Sequence, residues 1–139
     1  MHPRFAHFPV VLLLVGSVLA LLYLLGWRKA LFPATAWLLL LLGWVSLFAA
    51  ILTGLIDRNR APQDAALSAV MNPHIAAGFA LLIVYGLLLY ERLRAPQVFD
   101  QPRRRWLLLA LLLAGSALLV VEGALGGQLV FHLGVGVAR

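Results

Sequence analysis

Four apolar runs, each about 20 residues long and each ended by charged residues, leave this chain little choice of solvent. The first extends from about Phe5 to Gly26 and stops at Trp27-Arg28-Lys29. The second extends from about Ala34 to Ile56 and stops at Asp57-Arg58-Asn59-Arg60. The third follows Asn72-Pro73 and ends at Glu91-Arg92-Leu93-Arg94. The fourth follows Arg103-Arg104-Arg105, stays apolar to Val121, and passes through Glu122 toward Gly126-Gly127. With 63% hydrophobic and 12% charged residues, against about 25% charged in soluble domains, the surface must be solvated by lipid.

The runs are Leu-rich and lack the period-2 alternation of a barrel strand, so they predict helices over about 5–26, 34–56, 73–92 and 105–126, with an apolar segment 127–139 behind them. Short connections make consecutive helices antiparallel. The expected fold is one all-α, up-down-up-down four-helix bundle within the membrane. The first run reads as a span and not as a cleaved leader, because His-Pro-Arg stands where a leader carries its basic cluster. Pro3, Pro9, Pro33 and Pro73 are expected at or near helix starts, where a missing N–H leaves no bond unmade. Gly16 and Ala20 on the first helix, and Ser46, Ala50 and Gly54 on the second, recur every four residues and offer close-approach faces.

The net charge of +6 belongs to loop arginines and not to a basic face with interleaved aromatics, so nucleic acid is not an expected partner. Of the 11 Lys and Arg, seven (Arg28, Lys29, Arg92, Arg94, Arg103, Arg104, Arg105) lie at one mouth of the bundle, and Arg4, Arg58, Arg60 and Arg139 at the other. The richer side is expected to be cytoplasmic, with both termini and the loop after Arg58 outside. Trp27, Trp37 and Trp106 fall at the arginine-rich boundary, as aromatic anchors do. There is no cysteine, which excludes four-Cys iron–sulfur ligation and thiolate nucleophiles. No Ser-His-Asp or Walker-type pattern points to hydrolysis or nucleotide use.

The polar residues gather at the other mouth. His2 and His7 open the first helix, Asp57 and Arg58 end the second, His74 opens the third, and His132 lies beyond the fourth, with Asp64 in the loop. Histidine also sits at interfaces with no chemical task, and that bland reading stands beside the functional one. The functional reading is that imidazoles from separate helices hold a cofactor. His7 and His74 are the expected axial pair of a b-type haem, with Arg58 toward the propionates and Glu122 fixing a ligand tautomer or carrying a proton. A transition metal without haem would draw on His7, His74, His2, His132 and Asp57. Glu122 lies inside the fourth helix, where a carboxylate is expensive and usually functional.

The ends of the chain carry a family resemblance. The opening HPRFAHFP resembles the HPxxxHFP opening, and GGQLVFHLGVGV resembles the GGxLVYxHGVGV ending, of a bacterial membrane family, domain-of-unknown-function family 2231. Gly54-Leu55-Ile56-Asp57 and His74 fit its middle. The late histidine of that family falls at Leu133, one position after His132, and Gln128 stands where an acidic residue is common. The resemblance implies a four-helix protein of the bacterial inner membrane, in a family some of whose members are joined to Rieske-type iron–sulfur domains. It thus leans toward redox work: electrons relayed to or from a quinol, a periplasmic carrier or a larger respiratory complex. A non-catalytic accessory subunit is the alternative.

Overall fold

The computed structural model describes residues 2–27, 29–59 and 64–135, without the side chains of residues 2–6 and of Asp57. Four helices, α1 (His2–Leu24), α2 (Leu31–Arg58), α3 (Ala65–Arg94) and α4 (Pro102–Phe131), run alternately up and down, with a 3₁₀ turn at Val98–Asp100 before α4. All four are long and apolar enough to cross a membrane. The α2 span buries only 17% of its residues inside the protein, so lipid must cover most of its apolar surface.

Two antiparallel hairpins, α1/α2 and α3/α4, pack against each other. Without water to drive helices together, close packing has to do so, and glycines make it here. A Cβ on Gly16 would lie 3.0 Å from Leu40 Cγ, and one on Gly43 only 2.8 Å from the side chain of Leu13. The expected face of α1 is confirmed, since Gly16 and Ala20 are buried. On α2 the buried face is Ala36, Leu40, Gly43 and Leu47, while Ser46, Ala50 and Gly54 are only half-covered. Ser46 Oγ donates to the Leu42 carbonyl of its own helix instead. Between the hairpins, Tyr85 is fully buried, its hydroxyl 2.8 Å from Ser17 Oγ. Its ring occupies the space that a side chain on Gly115 would need. Trp44 Nε1 donates to the Leu82 carbonyl at 2.8 Å, tying α2 to α3.

The arginine end is closed by specific contacts. Tyr23 donates to Asp100 at 2.7 Å, Trp37 stacks on Phe99 with ring centroids 4.5 Å apart, Arg92 lies over the Trp37 ring, and Arg104 pairs with Glu91. Trp27 and Trp106 are exposed as anchors should be, but Trp37 is buried core. The histidine end is looser. The connected core of buried side chains reaches Leu13, Leu47, Leu81 and Leu119 and stops there on all four helices.

Two helix boundaries differ from expectation, for one reason. α3 begins at Ala65, where Asp64 caps it by accepting from the Ala66 N–H, and it runs straight through Pro73. α4 continues through Gly126-Gly127 to Phe131. Proline and glycine end helices readily in water, where freed carbonyls find solvent. In lipid a broken helix strands its polar groups, so the helix continues. Pro9 likewise lies inside α1, two turns from its start.

Candidate functional site

His74 and Glu122 form a half-buried ionisable pair between α3 and α4. Because α3 starts early and α4 ends late, each lies nine residues inside its helix, roughly 13 Å from the helix end. The sequence expectation that His74 opens its helix is therefore corrected, and Glu122 is deeper than a single turn. His74 Nδ1 is 3.2 Å from Glu122 Oε1, with side chains 25% and 12% exposed. The approach lacks hydrogen-bond alignment, and both His74 Nδ1 and Glu122 Oε2 are buried without a hydrogen-bond partner among the described residues. Two glycines make room for the pair. A Cβ on Gly126 would lie 3.5 Å from His74 Cε1, and one on Gly78 would lie 3.5 Å from Glu122 Oε1.

One turn further out, Val70, Gln128, His132 and Leu133 line an open cleft of about 270 Å³. His132 is the C-cap of α4, and beyond it Gly134 turns the chain at φ +65°, which lets the Val135 N–H reach back to the Leu129 carbonyl. Since His132 and Leu133 both border this cleft, a one-position shift of the histidine leaves the imidazole at the same opening.

These contacts belong to residues spread over the whole length of the chain, and a family model described as a predicted membrane protein (DUF2231) matches residues 1–139. The chain belongs to the DUF2231 family. No curated protein and no solved structure matches it.

Of the other sequence-derived candidates in this DUF2231 protein, Arg58 is committed elsewhere: its Nη2 donates to Asn72 Oδ1 at 2.8 Å, bracing the end of α2 against α3. His7 is exposed on the early turns of α1. The side chains of His2 and Asp57 lie outside the described residues. Among the described residues, no three His, Cys, Asp or Glu gather closely enough to share a metal ion. His74 has a carboxylate oxygen 3.2 Å from Nδ1, the kind of neighbour that accompanies a ligating imidazole.

Sequence reading offered Glu122 as the group that fixes a ligand imidazole's tautomer and did not say which imidazole. Glu122 stood out as an intramembrane carboxylate and His74 as one histidine of four, but no spacing within one helix links them. The nearest signal was glycine, at 78 on α3 and 126 on α4, each four residues from its polar residue.

Proposed function

We propose that this membrane protein exchanges protons at the His74–Glu122 pair, at the end of the bundle opposite the arginine cluster. The observation that carries the reading is the contact of an imidazole and a carboxylate at 3.2 Å, buried between α3 and α4, with buried polar atoms left unpartnered. Ionisable groups within a bilayer are costly to keep, and paired Glu and His are the usual components of proton relays. The redox setting implied by the family resemblance gives such a site a use, because a quinol gives up protons together with its electrons. A larger respiratory complex or a periplasmic electron carrier would take the electrons.

A carboxyl that takes up and releases a proton inside lipid reacts, in its protonated form, with a membrane-permeant carbodiimide. Glu122 should therefore become modified in membranes, as read by mass spectrometry, and Glu122→Gln should abolish that modification while the other acidic residues keep theirs. Absence of Glu122 modification across the pH range in which the protein stays folded would sink the reading.

A b-type haem on His7 and His74, relaying electrons, is the second reading, and the carboxylate at His74 Nδ1 favours it. The fit is partial. His74 is suited to be one axial ligand, while Leu13, Leu81, Tyr85 and Leu119 fill the interior beneath. For a transition metal shared by His7, His74, His2, His132 and Asp57, no three such donors gather among the described residues, and the side chains of His2 and Asp57 lie outside them. A Soret band in the purified protein that disappears in His74→Ala would put haem at this site.

We orient the histidine end toward the periplasm, from the seven-to-four distribution of Lys and Arg. Asn59→Cys should then react with an impermeant thiol reagent on intact cells, and Gln97→Cys only after permeabilisation. The reverse pattern would turn the histidine end to the cytoplasm.

A further inference from the structure

We infer that the α3/α4 seam is a hydrated half-channel, open only at the histidine end, through which water from the Gln128–His132 cleft reaches His74 and Glu122. The inference rests on the proton-exchange reading and deepens it by naming the route. Buried polar atoms in folded proteins have partners, and where side chains supply none, water does. Among the described residues, His74 Nδ1 and Glu122 Oε2 are two such atoms. The nearest opening is the cleft lined by Val70, Gln128, His132 and Leu133. Val70 is four residues from His74, one turn of α3, so about 6 Å of helix separates the cleft from the imidazole.

Two glycines border the pair. Gly126 faces the His74 ring and Gly78 faces Glu122, and neither has a side chain to exclude a water molecule. Below the pair the seam changes character. Leu81 is fully buried and Leu119 is 3% exposed. The next polar groups inward are the Tyr85 hydroxyl and its hydrogen-bond partners Ser17 and Ser116. Leu88, Leu108 and Leu112, all fully buried, follow before Glu91 and Arg104 at the far end. Water thus has a polar destination one turn in and an apolar stop behind it. His132, at the mouth, is placed to hand protons between bulk water and the interior.

The chain has no cysteine, so single cysteines report water access directly. A charged methanethiosulfonate reacts with a thiolate, and thiolates form in water and not in lipid. Gly126→Cys and Gly78→Cys are the seam variants, since a Cβ at either position meets only ordinary contacts. Gly123→Cys is the lipid-side control on the same turn of α4, with no atom within 4 Å of its Cβ. Ser116→Cys lies below the leucine stop. In reconstituted protein, the seam variants should react faster than the Gly123 control, on the order of tenfold or more, and Ser116→Cys should stay unmodified. Two positions on opposite walls keep the test open if one variant fails to fold. Seam cysteines that react no faster than the control would overturn the half-channel. Modification of Ser116→Cys as well would overturn the one-ended claim. Either failure, with Glu122 still taking up carbodiimide, would leave the proton-exchange reading in place and remove only this route.

Discussion

Alanine at Gly43 is expected to destabilise the bundle by about 1–3 kcal/mol, the range for overpacking a filled core. Its Cβ would come within 2.8 Å of both Cγ and Cδ2 of Leu13, and within 3.1 Å of the Leu13 backbone nitrogen. Leu13 is fully buried and cannot swing aside. The helices α1 and α2 would have to part, which would also loosen the reciprocal contact of Gly16 with Leu40. In lipid no gain from burying apolar surface offsets that separation, because acyl chains are as apolar as leucine. Gly123→Ala is the matched control: its Cβ meets nothing within 4 Å, and better helix propensity should stabilise it by up to about 1 kcal/mol. Unfolding equilibria in detergent micelles measure both. A Gly43→Ala protein as stable as the parent would show that the hairpin is not held by this approach.

That contact also shows where sequence reading ends. The four spans were legible, because length and hydropathy in a bilayer are nearly sufficient to specify helices. The gathering of His7, Arg58, His74 and His132 at one mouth followed from alternation of direction alone. Spacing within a helix could not say which glycine meets which leucine. Gly43 stands alone among leucines, whereas Ser46, Ala50 and Gly54 form the more obvious repeat and are half-covered. Pro73 and Gly126-Gly127 read as punctuation by rules learned in water, and lipid suspends those rules. Correcting these two ends moves His74 from the rim, and Glu122 from about one turn inside, to more than two turns inside. Trp37 reads as an anchor and is core instead, because its stacking on Phe99 depends on a 3₁₀ turn 61 residues later in the chain.

The depth of the pair leads to the second large effect, which separates a functional pair from a structural one. Leucine at His74 alone is expected to cost on the order of 1–3 kcal/mol, because it leaves the Glu122 carboxyl buried without the one group that approaches it. Leucine at Glu122 alone should cost less, since the His74 imidazole, 25% exposed, keeps some access to water. The double variant, with leucine at both positions, should not show the sum. It removes both polar groups together from a site walled by Gly78, Ile51 and Gly126, and apolar replacement of a buried ion pair is commonly neutral or stabilising by about 1–4 kcal/mol. We therefore expect it to match or exceed the parent in stability, while losing carbodiimide uptake at position 122 and losing water access along the seam. Such an outcome means that the fold tolerates the pair and does not depend on it, so the reason for keeping a carboxylate and an imidazole inside the membrane is chemical. A double variant as damaged as the two single changes added together would mean the opposite: His74 and Glu122 hold α3 to α4, and their task is structural.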